Sequence, residues 1–361
     1  MAKRNIMIVG TGTIGEPLIG LLSSMQKKLG IGNVYFHKRT PLMDEVAKVN
    51  SLVKRGAKLV VGSGRIREFH ELGHKSAIAY SDVSTLCDVI IDCTPAGNAN
   101  KEHHYLALSE NDDKKVFIAQ GSEKGFGIPY AYGINDDALR KSKPNFIQVV
   151  SCNTHNIACL LKSLDNMCLD DDYVINGDFV CIRRSSDVSQ DKGYVASPVI
   201  STHENMLHGT HHATDVVDLF KTLDTKFTHK LFSSALKINS QYMHVVRFSI
   251  VLKGLYSHED VYENFQKNKF IALTHRKSVN RVFSFGRDHG FYGRIYNHTV
   301  VPVSSLLVCQ HGSSTTVTGF CFTPQDGNSL LSSGAAAMHA LHGDKYEKYV
   351  HVLDAVLHDI I

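Results

Sequence analysis

Residues 149–156, VVSCNTHN, set one cysteine between an apolar run and a polar turn. A thiolate at that point can attack an aldehyde or acyl carbonyl and hold it as a covalent adduct. The adduct needs donors for its oxyanion, and the thiol needs a group to take its proton. Seven other cysteines compete for the role: Cys87, Cys93, Cys159, Cys168, Cys181, Cys309 and Cys321. None forms a CxxC pair and most lie in apolar, strand-like runs. That pattern fits reduced thiols of a cytoplasmic protein better than a disulfide framework or a zinc site. On composition alone Cys152 is as readily an inert core thiol as a nucleophile. Its position is distinctive, because it follows a strand candidate. A helix beginning at Thr154 or Asn156 would bring the thiol to a helix N-terminus, where the dipole favours thiolate.

The second chemical feature is GTGTIG, residues 10–15. Gly10, Gly12 and Gly15 follow a short apolar run and open a helical pattern, the context in which GxGxxG binds a dinucleotide. Gly10 permits the tight turn, Gly12 lets backbone approach a pyrophosphate, and Gly15 lets helix and strand pack closely. At the end of the second strand candidate, where an NAD-selective site carries Asp or Glu, the chain reads FHKRTP. Lys38, Arg39 and Thr40 offer donors that suit a 2′-phosphate, so NADP is expected, with NAD accepted. A solvated basic turn is the plainer alternative. Thr94 and Pro95 of TPAG, and Gly121 of QGSEKG, end later strand candidates and belong to the same edge.

The elements that must position these residues alternate in type. Strand candidates cover 5–9, 33–36, 58–61, 87–94, 115–120 and 145–151, with helix-like or polar stretches between them. This is the pattern of an α/β, Rossmann-type, doubly wound parallel sheet. Beyond residue 155 the runs at 172–186, 241–254, 299–310 and 314–323 are long and β-rich, joined by longer connections. They indicate a C-terminal α+β domain with a mainly antiparallel sheet. The expected division is 1–151 dinucleotide-binding, 152–328 catalytic, and 329–361 a helical segment packing back on the first domain. A length of 361 residues suits two domains. The formal charge of +4 gives no reason to expect nucleic acid. No apolar run approaches a membrane span, and the N-terminal run meets Gly10 too soon for a signal peptide.

Together the motifs resemble archaeal-type (type II) glyceraldehyde-3-phosphate dehydrogenase. GTGTIG, KRTP, DCTPAG, QGSEK, VVSCN, IRRSSD, HHATDV and YMH occur in that family's order and at similar spacings, the match weakening after about residue 255. The resemblance implies Cys152 as nucleophile, with Ser151 and Asn153 beside the substrate, and His211 and His212 holding it. It implies His244 as general base, and Thr11, Thr13, Ile14, Gly121, Arg183, Arg184 and Gln325 at the cofactor. Phosphate subsites are expected from Thr154, Arg247 and basic residues of the second domain. The implied partners are glyceraldehyde 3-phosphate and inorganic phosphate, in a homotetramer, with no metal. The chain departs from the family pattern at His155-Asn156, which replace a small residue and a glycine. It departs again at Ala213-Thr214, which replace Gly-Pro, and at Val246, which replaces a second histidine. His155 and Asn156 are therefore where altered substrate fit is expected. Two other readings keep the reactive thiol: an aspartate-semialdehyde type of oxidoreductase, and a cofactor-binding redox sensor.

Overall fold

Short runs such as IMIV and VIID are apolar on both faces, so strands built from them must be covered on both sides. A computed structural model of the chain describes residues 4–121, 123–167, 174–188, 190, 193–223, 230–324 and 326–361. The chain divides into two units. The first comprises residues 1–132, 136–149 and 329–355; the second comprises 133–135, 150–328 and 356–361.

The first unit holds an eight-stranded parallel sheet. Its strands are β1 (Ile6–Val9), β2 (Val34–His37), β3 (Lys58–Val61), β4 (Ile78–Ala79), β5 (Val89–Asp92), β6 (Val116–Ala119), β7 (Ile128–Tyr130) and β8 (Phe146–Val149). They lie in the order β4-β3-β2-β1-β5-β6-β8-β7. The order reverses at β1, which pairs β2 on one side and β5 on the other. Such a switch point opens a crevice at the carboxyl ends of the strands. Six of the eight strands match the expected runs; the short β4 and β7 carry too little pattern to be read. Met7, Ile90 and Phe117 are fully buried, and Phe117 stacks between Tyr105 (4.9 Å) and Phe146 (5.2 Å). Side chains of this size each stabilise by about 1.5–3 kcal/mol on burial.

The second unit contains β9 (Val174–Arg183), β10 (Val199–Ile200), β11 (Lys230–Lys237), β12 (His244–Lys253), β13 (Ile271–Thr274), β14 (Thr299–Pro302), β15 (Leu307–His311) and β16 (Ser314–Thr323). The order is β10-β11-β9-β12-β16-β14-β13, with β15 also on β16. The sheet is mostly antiparallel, as expected, but β9–β11 and β13–β14 are parallel pairs. The run at 299–310 is not one strand. It breaks at Pro302 into a short turn over Val303–Ser305, because proline cannot continue the ladder. The helix Cys152–Asp165 packs against this sheet, with Asn153 and Asn156 bonded to Thr323, and its Ile157, Leu160, Leu161 and Leu164 are fully buried. No described helix is long and apolar enough to cross a membrane.

Candidate active site

The dinucleotide edge of the first unit is built on its glycines. Gly10 has φ +97°, a conformation open to glycine and strained for other residues. A Cβ on Gly15 would overlap the Gly10 carbonyl oxygen, while a Cβ on Gly12 would meet nothing within 4 Å. Gly12 thus faces open space, as close approach of a pyrophosphate requires. No side chain caps the helix Gly15–Ser24 at Ile14, so its N-terminal dipole is available to an anion. These residues fit a dinucleotide. Across the crevice, fully buried Asp92 pins the Thr94 loop. Its Oδ1 accepts from the Thr94 N–H (2.8 Å) and hydroxyl (2.6 Å), and its Oδ2 from Asn100 (2.7 Å) and Tyr105 (2.6 Å). Pro95 is exposed beside it. Gln120, next to Gly121, donates to Ser333 Oγ (3.1 Å).

The basic turn differs from its sequence expectation. Lys38 is buried and forms an ion pair with Glu45, which also takes Lys48 Nζ at 2.7 Å. A carboxylate is therefore present after all, supplied from eight residues beyond the strand end. Burial works to raise the Glu45 carboxyl, but its bonds to Lys38 and Lys48 hold it below the ordinary range. Arg39 is exposed, Thr40 half-buried, and His37 is pushed down to about 4 by burial, so it carries no charge at neutral pH.

In the second unit Cys152 is the first residue of its helix, two residues earlier than the nearer expected start. The reason is local. Ser151 is extended (φ −67°, ψ 160°) and its hydroxyl oxygen accepts from the Thr154 N–H at 3.3 Å, capping the helix. The Asn153 N–H reaches the Cys152 sulfur, and Arg184 and Arg183 lie close enough to favour its thiolate. Burial nevertheless outweighs them, and Asp326 adds to it, so the thiol is held above its ordinary value. Among the described cysteines only Cys152 combines a backbone N–H with two arginines. Cys87 and Cys321 are pushed up to about 12 by burial.

His244 stands opposite Thr323 on β16 and one position before Val245, the partner of Ile182, which sets it beside Arg183. Its Nδ1 accepts the Arg184 backbone N–H at 3.2 Å. The neutral ring therefore carries its proton on Nε2 and presents a donor there. Burial, then the charges of Arg184 and Arg183, hold this histidine well below its ordinary value. His212 is buried with neither ring nitrogen hydrogen-bonded, and burial pushes it down to about 3. His211, exposed, lies against it at 4.1 Å between ring centroids. The structure thus gathers Cys152, His212, His244, Arg183 and Arg184 around one end of the second sheet.

Several expected residues lie elsewhere. Thr154 is fully buried and its hydroxyl bonds Ser151 Oγ at 2.8 Å, so it completes the cap and is no phosphate subsite. Asn153 sends its side chain inward, where Oδ1 accepts from Thr323 at 3.1 Å; only its backbone serves the thiol. Arg247, three residues beyond His244, points to the other face of the strand and pairs with Asp178 at 3.4 Å. His155 and Asn156 do not line a substrate loop. His155 is fully buried, bonded to the Ser151 carbonyl (3.0 Å) with its ring 4.9 Å from His298. Asn156 donates to Thr323 Oγ1 at 2.6 Å. Gln325 lies outside the described residues.

Sequence reasoning missed the turn that follows. Asp326 has φ +53° and is 4% exposed, with Oδ2 on Arg294 at 2.9 Å and Oδ1 unbonded. Two residues on, Asn328 donates to the Cys152 carbonyl at 3.0 Å and to the His298 carbonyl at 3.2 Å. Its side chain fixes the start of the helix that begins at Cys152 from more than 170 residues away in sequence, a link with no local signal.

No family model matches the chain. Curated proteins do. The chain is 27% identical over 315 residues to the glyceraldehyde-3-phosphate dehydrogenase of Sulfolobus acidocaldarius, covering 85% of this chain and 84% of that protein. It is 27% identical over 291 residues to the enzyme of the same name from Pyrobaculum calidifontis, covering 78% and 77%. With that of Methanocaldococcus jannaschii the figures are 25% over 316 residues and 85% of each. Over most of its length, the chain is similar to archaeal-type glyceraldehyde-3-phosphate dehydrogenases.

Proposed function

We propose that the chain is a phosphorylating glyceraldehyde-3-phosphate dehydrogenase that uses NADP and accepts NAD. The observation that carries this is Cys152 at the first position of a capped helix, with the Asn153 N–H on its sulfur and Arg183, Arg184, His212 and His244 at the same end of the sheet. The similarity to archaeal enzymes of that name supports the substrate.

The Cys152 thiol first loses its proton to solvent, a step that Arg184, Arg183 and the Asn153 N–H favour against burial. The thiolate then attacks the aldehyde carbon, the carbonyl π bond breaks, and a thiohemiacetal oxyanion forms. His244, held as the Nε2–H tautomer by the Arg184 backbone, donates to that oxyanion. This changes its expected role from proton acceptor to electrophile. Arg184 and Arg183 stabilise the thiolate before attack and again when it leaves. His212, neutral with both ring nitrogens unbonded, has one N–H to donate to the substrate and one nitrogen to accept from it. When bound, the nicotinamide dinucleotide supplies the acceptor for the hydride that turns the thiohemiacetal into a thioester; Gly10, Thr11, Gly12, Thr13, Ile14, Gly15, Thr94 and Gly121 would hold it. Phosphate then attacks the thioester carbonyl, the carbon–sulfur bond breaks, and the acyl phosphate departs with Cys152 restored as thiolate.

Homotetramer formation is part of the proposal. Ile200, Met206 and Leu207 of the second unit are 84%, 100% and 78% exposed, a cost in water that a partner surface would remove. The test of the activity is reduced cofactor formed from glyceraldehyde 3-phosphate and NADP, with and without phosphate. Phosphate-dependent turnover supports the proposal. Turnover indifferent to phosphate indicates a non-phosphorylating dehydrogenase, and none at all removes the enzyme.

A further inference from the structure

Lys38, Glu45 and Lys48 form a linked set of charges just beyond β2, in the same unit as the glycine turn, with exposed Arg39 beside it. Glu45 pairs with Lys38 and with Lys48 (2.7 Å). Lys48 Nζ also reaches the Thr11 carbonyl of that turn at 3.4 Å and Glu16 at 3.8 Å. Lys38 is buried, and the side chains of Lys48 and Glu45 are 27% and 21% exposed, so the set is only partly screened by water. In a dinucleotide site the end of the second strand faces the adenosine ribose. A 2′-phosphate arriving there meets two lysines already matched to a carboxylate, and it meets that carboxylate as a like charge. A 2′-hydroxyl meets a hydrogen-bond acceptor.

We infer that Glu45 is the specificity-determining residue of the cofactor site: by occupying Lys38 and Lys48 it restrains the preference for a 2′-phosphate and keeps NAD acceptable. The inference rests on the proposal that the glycine turn binds a nicotinamide dinucleotide. It assigns the discrimination to a residue outside the basic turn itself, and it makes the lysines a reserve of positive charge held by Glu45, among the described residues the one carboxylate paired with both.

The test compares Glu45→Gln with the wild type in titrations of NADP, NAD, 2′,5′-ADP and AMP. The expected result is a gain of about tenfold in NADP over NAD preference, matched by 2′,5′-ADP over AMP, and shrinking as salt is raised. A far-UV circular dichroism spectrum and melting temperature matching the wild type show that the variant is folded. Adding Lys38→Gln to Glu45→Gln returns the preference toward the wild-type value. An unchanged preference, or NADP weakened more than NAD, overturns the inference and would make Glu45 a support for the lysines. If the wild type binds none of the four ligands, the dinucleotide proposal fails and this inference with it, a result distinct from an unchanged ratio.

Discussion

The glycine edge of the first unit and the thiol edge of the second solve different problems. The first presents backbone. Its features are the absence of side chains at Gly10, Gly12 and Gly15 and an uncapped helix start, and one buried carboxylate, Asp92, holds the facing loop. The second presents side chains in a buried, charged setting. There a capped helix, two arginines, two depressed histidines and the Arg294–Asp326 pair converge from segments far apart in sequence. A backbone site tolerates change around it but little within it. A side-chain site of this kind depends on every residue that sets its field.

The largest expected effect is at the thiol. Cys152→Ser should lower kcat by at least about a thousandfold, since an alcohol lacks the nucleophilicity of a thiolate, with the melting temperature little changed. Next comes Gly12→Ala. Its Cβ has space in the free chain, so stability should hold while dinucleotide affinity falls by about ten- to a hundredfold, measured by titration. Gly15→Ala sharpens the contrast. Its Cβ would overlap the Gly10 carbonyl, so it should destabilise by about 1–3 kcal/mol in denaturant unfolding, whatever it does to binding.

The histidines predict a pH dependence for the second unit. His155, His212 and His244 are all held below their ordinary value by burial, His212 down to about 3. Near pH 5 the unfolded chain binds protons at these histidines that the folded chain does not. Stability is therefore full above about pH 6.5 and falls as pH drops below it, until the folded-state values are reached. Melting curves from pH 7 to pH 4.5 should shift steadily downward, and His155→Gln should flatten that slope. A slope unchanged by His155→Gln would take that residue out of the account. The smallest effect belongs to Arg247→Gln. Its guanidinium points away from Cys152 toward Asp178, so KM for the aldehyde and for phosphate should stay within about twofold of wild type.

The same contrast explains what was legible in sequence. GTGTIG announces its own turn because each glycine acts within six residues, and the apolar runs announce the parallel strands because burial on both faces leaves no alternation. The thiol edge is written across the chain. Ser151 as a helix cap was readable in principle, a serine three residues before the N–H it accepts. Asn328 on the Cys152 carbonyl and Thr323 on Asn153 and Asn156 were not, since contacts over 160 residues or more leave no local mark. Glu45 is an intermediate case. The acidic pair Asp44-Glu45 before a helix looks like dipole compensation, and only the fold shows that Lys38 turns back to meet it. His155 and Asn156 show the opposite error. Three and four residues after Cys152, they are fully buried and bonded within the protein, His155 to the Ser151 carbonyl and Asn156 to Thr323.

Covalent catalysis by Cys152 is tested most directly by a single-turnover experiment with wild-type chain, glyceraldehyde 3-phosphate and NADP in the absence of phosphate. The expected result is a burst of reduced cofactor of about one equivalent per active chain, with an acyl adduct on the peptide bearing Cys152, followed by sustained turnover when phosphate is added. An absent burst, or an adduct on any other cysteine, would contradict it.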